Sequence, residues 1–225
     1  MKRNLFFVLA LVSICVMPLY GQNPKTATTG TLNGHEWIDL GLPSGTLWAT
    51  CNVGANALEE YGDYFAWGET QSKNTYDWST YKHMGSDTTL TKYCSNSNGF
   101  ADTLTILLPQ DDAATANWGD EWRMPTKEEF EELCNNTDIT WVTQNGVNGR
   151  LFTASNGNSL FLPVAGSRSD NELEHVGSSG SYWSSSFSTD NPNNALYFHF
   201  SLEGWGIAAY YYCSGLSVRP VTSSH

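Results

Sequence analysis

The stretch WGDEWRMPTKEEFEEL, residues 118–133, joins a tryptophan-rich approach to a short acidic helix. Thr126 followed three residues later by Glu129 forms a capping box, and Pro125 precedes it where a hydrophobic staple can pack on Phe130. Phe130, Leu133 and Cys134 then recur at helical spacing as one apolar stripe. The pattern therefore predicts a helix that begins after Thr126 and packs on a sheet.

The carboxylates of this stretch have a structural explanation. Negative side chains near the start of a helix are stabilised by its positive end. Glu128, Glu129, Glu131 and Glu132 lie there or away from the apolar stripe. We therefore interpret them as structural rather than as a catalytic or metal-binding cluster.

The N-terminus carries a predicted export signal. Lys2 and Arg3 precede an uninterrupted apolar run, and Gly21 offers a small residue for cleavage. Residues 1–21 therefore read as a signal peptide. The alternative is a lipoprotein signal using Cys15, which Ile14 disfavours because a lipobox needs a small residue at that position. We expect an exported, secreted or cell-surface protein with no membrane insertion.

Length and charge limit the domain organisation and the candidate partners of the remaining chain. Residues 22–33 are polar and turn-rich and predict a linker, and residues 34–222 suit a single domain. Without Lys2 and Arg3, nine basic residues face 23 acidic ones, a formal charge of −14. Such a surface repels phosphate backbones and anionic lipid, so nucleic acid is a poor candidate partner.

Four cysteines follow the predicted signal peptide. In an exported protein an even number permits two disulfides in three connectivities, and the alternative is that some are free and buried. Their spacing does not match a zinc-binding motif. The four residues are Cys51, Cys94, Cys134 and Cys213.

The order of local patterns predicts an α+β fold with antiparallel sheets, about two short helices and long irregular loops. Two strands are predicted within residues 35–54, and an irregular excursion pinned by aromatic side chains follows over 55–110. Asp111 or Asp112 can cap a short helix. Strands within 139–144, 149–155 and 159–166, separated by Asn-Gly steps, predict a meander. Residues 167–180 are read as a loop, with further strands over 181–188, 194–201, 206–214 and 215–221.

Several segments together resemble one family of exported bacterial proteins. They are IDLGLPSGTLWATCNVGA (38–55), YGDYFAWGET (61–70), DDAATANWGDEWRMPTKEEFEEL (111–133), GNSLFLPVAGSR (157–168), GSYWSSS (180–186), NPNNALYFHF (191–200) and GLSVRPV (215–221). In this order they resemble the Fibrobacter succinogenes major paralogous domain family. More distantly, WRMPTKEEFEEL and GLSVRPV are similar to signatures of the formylglycine-generating-enzyme superfamily.

The resemblance implies a C-type-lectin-like fold with an irregular loop region that carries the binding surface. Variable proteins diversified by retroelements are similar to this group, and in them C-terminal residues form the ligand face. The family has no agreed biochemical function, and a fold alone does not determine one. The enzymatic relatives use paired C-terminal cysteines or clustered histidine ligands. Cys213 has no close second cysteine, and the five histidines are scattered.

The C-terminal segment 194–215 supplies the predicted ligand-binding residues. In a strand, Leu196, Phe198 and Phe200 share one face and leave the alternate residues for the other. Three successive tyrosines, 210–212, cannot all point inward. Exposed tyrosine and tryptophan on a rigid sheet are efficient binding groups and can stack on sugar rings. The predicted site comprises Tyr197, His199, Glu203, Trp205, Tyr210 and Tyr212.

Three functional hypotheses remain open. The favoured one is a non-catalytic domain that binds an extracellular glycan or protein through this aromatic face. The alternatives are a metal- or thiol-dependent enzyme and a structural cell-surface protein. We expect no cofactor. Calcium has only weak support, from residues 169–174, residues 190–194 and Asp111 with Asp112. Arg123 and Arg219 are expected to pair with carboxylates or carbonyls at the sheet ends.

Overall fold

The computed structural model describes residues 28–86, 89–94, 102, 104 and 106–223. The predicted signal peptide over residues 1–21, including Cys15, lies outside the described residues, as does the first part of the predicted linker, residues 22–27. The described chain forms antiparallel sheets with two short α-helices, which confirms the predicted α+β class. No helix among these residues is long and apolar enough to cross a membrane.

The first sheet joins the two ends of the domain. Its strand order is β1 (Thr29–Leu32), β2 (His35–Asp39), β3 (Thr46–Ala49) and β12 (Val221–Ser223), all antiparallel. The sequence interpretation of 29–32 as linker is wrong, because these residues pair along their whole length with β2. The predicted strand over 215–221 forms only isolated bridges before β12 begins.

Two further sheets, of three strands each, are formed by consecutive strands of the chain. The predicted meander is confirmed as β4 (Thr137–Gln144), β5 (Val147–Ala154) and β6 (Ser159–Pro163). A second three-stranded sheet has the order β11 (Trp205–Tyr211), β10 (Asn194–Ser201) and β9 (Ser179–Phe187). The prediction of a loop over residues 167–180 is wrong. It contains a hairpin, β7 (Ser167–Ser169) and β8 (Glu172–Glu174), whose turn holds Asp170 at a positive φ of 50°.

The predicted helices are confirmed together with their caps. Asp112 caps α1 (Ala113–Trp118) by accepting hydrogen bonds from the N–H groups of Ala114 and Thr115. Helix α2 (Lys127–Asn135) begins with the capping box of Thr126 and Glu129. Glu129 also accepts two bonds from Arg123, at 2.6 and 2.7 Å, so this carboxylate has a structural role.

The apolar stripe of α2 anchors the sheets. Phe130, Leu133 and Cys134 are buried, as predicted. The Phe130 ring lies 5.0 Å from that of Phe198 on β10 and 5.3 Å from that of Trp48 on β3. One helix face therefore holds two sheets in a common core, and it supports the β10 strand from the side opposite to Tyr197 and His199.

In the predicted excursion over 55–110, the residues that the structure describes are largely irregular and are pinned by buried aromatic side chains, as predicted. Tyr76 donates through its hydroxyl to the Tyr64 carbonyl, and Tyr81 donates to the Trp67 carbonyl. The Trp67 indole donates across to the Ser184 carbonyl on β9. Each aromatic thus buries apolar area while satisfying a backbone carbonyl, which is how a segment with little regular structure keeps one conformation.

Arg219 confirms the predicted pairing with carbonyls near a sheet end. It is fully buried and donates to the carbonyls of Ala49 and Thr50 and to the Asn52 side chain. All four cysteines of the described chain are free, so the disulfide alternative is wrong. Cys94, Cys134 and Cys213 are buried, and Cys51 is half-buried.

Candidate functional site

The β10–β11 hairpin brings three of the predicted site residues together. His199 pairs with Gly206, Tyr197 with Ala208 and Ala195 with Tyr210, so the rings of Tyr197, His199 and Tyr210 project from one face. The Tyr197 ring lies 5.6 Å from the His199 ring and 5.5 Å from the Tyr210 ring. This aromatic cluster is the part of the prediction that the structure assembles.

The aromatic cluster lines a cavity of about 230 Å³, hereafter the tyrosine pocket. Serines surround the rings because β9 pairs Ser181 with His199 and Ser179 with Ser201. The β7 strand and the turn after β8 close the remaining side. The pocket is lined by Ser167, His175, Ser179, Ser181, Tyr197, His199, Phe200, Ser201 and Tyr210.

Sequence reasoning missed the serine and histidine wall of this pocket. Ser167 and His175 lie in the segment for which the sequence predicts a loop and in which the structure shows the β7–β8 hairpin. Ser179 and Ser181 alternate with buried Gly180 and Tyr182. That alternation is visible in the sequence, but which strand it faces follows only from the β9–β10 register.

A glycine makes room for the imidazole. Gly206 faces His199 across the hairpin, and a Cβ atom at Gly206 would lie 3.3 Å from Nε2 of His199. Such a contact is tighter than ordinary van der Waals packing. The glycine in the WGI sequence of β11 therefore leaves space over the strand for the edge of the His199 ring.

The rings of Tyr197, His199 and Tyr210 are uncharged at neutral pH. Burial lowers the pKa of His199, because the charged imidazolium loses hydration. Burial also raises the pKa of Tyr197 and Tyr210, with the neighbouring phenol adding to the effect on Tyr197. Two phenol hydroxyls and a neutral imidazole can each both donate and accept a hydrogen bond. The pocket therefore suits a neutral ligand with hydroxyl groups.

One buried and two partly buried histidines predict a pH dependence of stability. Burial lowers the pKa of His35, His83 and His199 below 6.5. Between those lowered values and 6.5 the unfolded chain binds protons that the folded chain does not, so stability falls as the pH drops below 6.5. We expect the free energy of unfolding from urea titration to be lower at pH 5.5 than at pH 7.5. His199→Gln should flatten that slope, whereas a stability that rises on acidification would contradict the assignment.

The other three predicted residues do not join the tyrosine pocket. Trp205 pairs with Phe200 and lies on the opposite face, with its ring 6.2 Å from that of Phe198. Glu203 is exposed in the hairpin turn. Tyr212 is fully buried, with its ring stacked 4.8 Å from that of Trp67. In the run of three tyrosines, the exposed one is Tyr211, with 54% of its surface accessible. It was not among the predicted site residues.

Tyr212 is buried because the strand ends before it. β11 stops at Tyr211, and a turn over Tyr212 and Cys213 carries the chain inward. There the Tyr212 N–H donates to the Asn193 carbonyl, while the Trp67 N–H donates to the Tyr212 carbonyl. Alternation along a strand therefore no longer applies at this position.

Two of the carboxylates considered for calcium, Asp111 and Asp112, have structural partners. Asp111 is buried and accepts bonds from Lys82, Lys92 and the Tyr93 hydroxyl. Asp112 caps α1 and accepts a further bond from the Met124 N–H at 2.8 Å. Across the described ranges no group of three or more histidine, cysteine, aspartate or glutamate side chains is placed to hold a metal ion.

The thiols give little support for nucleophilic chemistry. Burial raises the pKa of Cys94, and raises those of Cys134 and Cys213 to about 12. A thiol that stays protonated is a poor nucleophile. Cys51 is half-buried and lies beside a separate cavity of about 310 Å³ that also contacts His35 and Glu36.

A larger cavity lies elsewhere. It measures about 780 Å³ and is lined by Trp78, Ser79, Met84, Gly85, Ser86 and Asn193. It offers fewer convergent hydrogen-bonding side chains than the tyrosine pocket, and such convergence is what usually orients a ligand. We therefore take the smaller pocket as the candidate site.

No protein-family model, curated protein or solved structure matches this chain. The fold and the pocket geometry are consequently the evidence on which a function can be argued, and the family resemblance remains a prediction.

Proposed function

We propose that this chain is an exported bacterial ligand-binding domain, without catalytic activity, that recognises a neutral glycan in the tyrosine pocket. The observation that carries the proposal is the joint placement of two phenols, a neutral imidazole and several serine hydroxyls around one small cavity. The family resemblance and the predicted signal peptide support export to the cell surface or beyond.

The chemistry of the pocket matches a sugar ring. A pyranose presents apolar C–H faces that pack on aromatic rings, and hydroxyls that both donate and accept hydrogen bonds. Tyr197 and Tyr210 offer the rings, while Ser167, Ser179 and Ser181 offer small hydroxyls with the same dual capacity. At about 230 Å³ the cavity is smaller than the roughly 300–1,000 Å³ of sites for drug-sized ligands. We therefore expect it to hold one sugar residue, at the end or side of a longer chain.

Charge favours neutral over anionic glycans. The chain carries a formal charge of −12, and no lysine or arginine lines the tyrosine pocket. A sulfate or carboxylate would enter without a cationic partner and against a repulsive field. A protein ligand is the second possibility within the binding hypothesis, but a cavity of this volume admits little more than one side chain.

Alanine variants test the proposal. Glycan-array screening should yield neutral saccharides as positives, and titration calorimetry then gives the affinity for the strongest of them. We expect Tyr210→Ala and His199→Ala each to weaken binding about tenfold or more, because each removes a ring and hydrogen-bonding groups from the cavity wall.

Trp205→Ala is the matched control, since it removes an aromatic ring from the same hairpin but from the opposite face. Binding that is lost with Trp205→Ala and retained with Tyr210→Ala would place the ligand on the other side of the sheet. An array without any positive saccharide would favour a protein ligand or the structural alternative.

A further inference from the structure

Strand β11 lies at the open edge of its sheet. Among the residues that the structure describes, it pairs only with β10, in the strand order β11-β10-β9. Hydrogen bonds from Ser201 N–H to Gly204 and from Tyr212 N–H to Asn193 show which positions face β10. By alternation, the backbone groups of Trp205, Ile207, Ala209 and Tyr211 point away from β10. No hydrogen bond within the described chain reaches the N–H groups of these four residues.

Within the described residues, β11 itself carries none of the charge, proline or bulge that usually protects an edge strand. Natural edges carry lysine, proline, a bulge or a covering loop, because free backbone groups invite pairing with another chain. The sequence WGIAAYY of β11 has no charge and no proline, and its register with β10 has no shift. Trp205 and Tyr211, at its two ends, are 43% and 54% exposed.

We propose that β11 pairs with β11 of a second copy of this chain, antiparallel, about a two-fold axis at Ala208. In this register Trp205 lies opposite Tyr211 of the second copy, and Ile207 lies opposite its Ala209. These positions point their N–H groups outward and each meets a carbonyl of the second copy. The Tyr211 carbonyl also accepts a hydrogen bond from the Ser214 N–H of its own chain, and its second lone pair serves the Trp205 N–H of the second copy. A slip by one residue would set outward positions against inward ones and lose the hydrogen bonds.

The side chains fit the same register. On one face Trp205 lies next to Tyr211 of the second copy, so the two most exposed aromatic rings of the strand cover each other. On the other face Tyr210 lies next to Gly206 of the second copy, and Ala208 meets its own equivalent. Where the two strands come closest, Tyr210 thus faces a glycine and Ala208 faces another small side chain.

Charge and buried surface area determine how strongly the two copies associate. Strand β11 contributes no charge, so no like charges lie directly opposite within it. Trp205 and Tyr211 each expose roughly 100 Å² of ring surface, or about 400 Å² over two copies. That is well below the roughly 1,200 Å² of a standard stable interface. The dimer is therefore weak and concentration-dependent, and because each chain carries −12 it is strengthened by salt.

Pairing would extend the sheet to six strands. A two-fold axis normal to the sheet keeps Tyr210 of both copies on the same side. If the proposed function is correct, the two tyrosine pockets then face one direction and bind a repetitive glycan bivalently. The strand pairing itself does not depend on any ligand.

Sedimentation velocity of the purified protein tests the pairing. We expect monomer near 1 µM and a growing dimer fraction above about 100 µM, increasing with salt. Ile207→Lys should weaken dimerisation at least tenfold by placing charge on the edge. Thr140→Lys, which adds the same charge at an exposed position of the edge strand β4, should leave it unchanged. A monomer at all concentrations, or a dimer insensitive to Ile207→Lys, would overturn the proposal.

A cross-link tests the register. Ala208→Cys places two thiols face to face at the axis, and oxidised glutathione should join them as a disulfide-linked dimer on non-reducing gels. Thr140→Cys is the control for random collision, and the unsubstituted chain controls for Cys51. A dimer in solution that Ala208→Cys does not cross-link faster than Thr140→Cys would overturn this register.

Discussion

Tyr212→Ala is expected to lower the free energy of unfolding by about 3–5 kcal/mol, the usual cost of deleting a fully buried aromatic ring. The Tyr212 ring stacks on Trp67 at 4.8 Å and on Tyr81 at 6.1 Å. Its hydroxyl donates to the Tyr93 carbonyl at 3.3 Å. Removing the ring leaves a cavity where the irregular excursion meets the sheet. Urea titration followed by tryptophan fluorescence measures the change.

The neighbouring Tyr211→Ala supplies the matched control. Tyr211 is 54% exposed and touches Trp78 edge-on at 5.9 Å. Its removal should change stability by about 0.5 kcal/mol or less at protein concentrations where the chain is monomeric. Equal effects of the two substitutions would contradict the assignment of Tyr212 to the core and Tyr211 to the surface.

Glu129→Ala is expected to lower stability by about 2–3 kcal/mol. The substitution removes the second half of the capping box, the bidentate pairing with Arg123 and the bond from the Thr46 hydroxyl. The loss stays below the roughly 3–5 kcal/mol of a fully buried ion pair because the Arg123 side chain is 41% exposed. Chemical denaturation and the helical circular dichroism signal would both report it.

Glu128→Ala isolates the contribution of charge alone. Glu128 also lies in the first turn of α2, but it is exposed, with Lys127 at 3.6 Å as its ion-pair partner. Its removal should cost under about 1 kcal/mol. A loss at Glu128 as large as that at Glu129 would mean that general helix-end electrostatics, rather than the specific Glu129 contacts, stabilise the helix start.

The elements that the sequence predicts well are those specified by local chemistry. The capping box at Thr126 and Glu129 determines where α2 begins, and Asn-Gly turns set the β4–β6 meander. These signals act within a few residues, so the correct element follows without knowledge of its neighbours. The apolar stripe of α2 belongs to the same class, because helical periodicity marks the face that must be buried.

The elements that sequence reasoning missed depend on distant partners. Residues 29–32 lack an apolar pattern and become a strand because β2 pairs with them. The β7–β8 hairpin is three residues long on each side, with Asn171 and Asp170 at its turn, and polarity alone made it resemble a loop. Tertiary pairing overrides weak local preference in both cases.

For the same reason, only three of the six predicted site residues line the tyrosine pocket. Alternation along β10 placed Tyr197 and His199 on a common face correctly, since a regular strand reverses its side chains at each residue. Alternation did not reveal that β11 ends before Tyr212. It also did not reveal that Trp205 lies on the face of the sheet opposite to the tyrosine pocket. The serine wall depends on the β9 register, which is set by packing across three strands.

Nuclear magnetic resonance of the histidine side chains tests the central claim most directly. The protein, labelled with ¹⁵N at its histidines, would be titrated with the strongest neutral saccharide from the array. The proposal predicts that the ring nitrogens of His199 shift with saturation, while those of buried His83, which lies outside the tyrosine pocket, stay unchanged. Saturable binding that leaves His199 unperturbed would show that the ligand occupies another surface and would contradict the assignment of the tyrosine pocket.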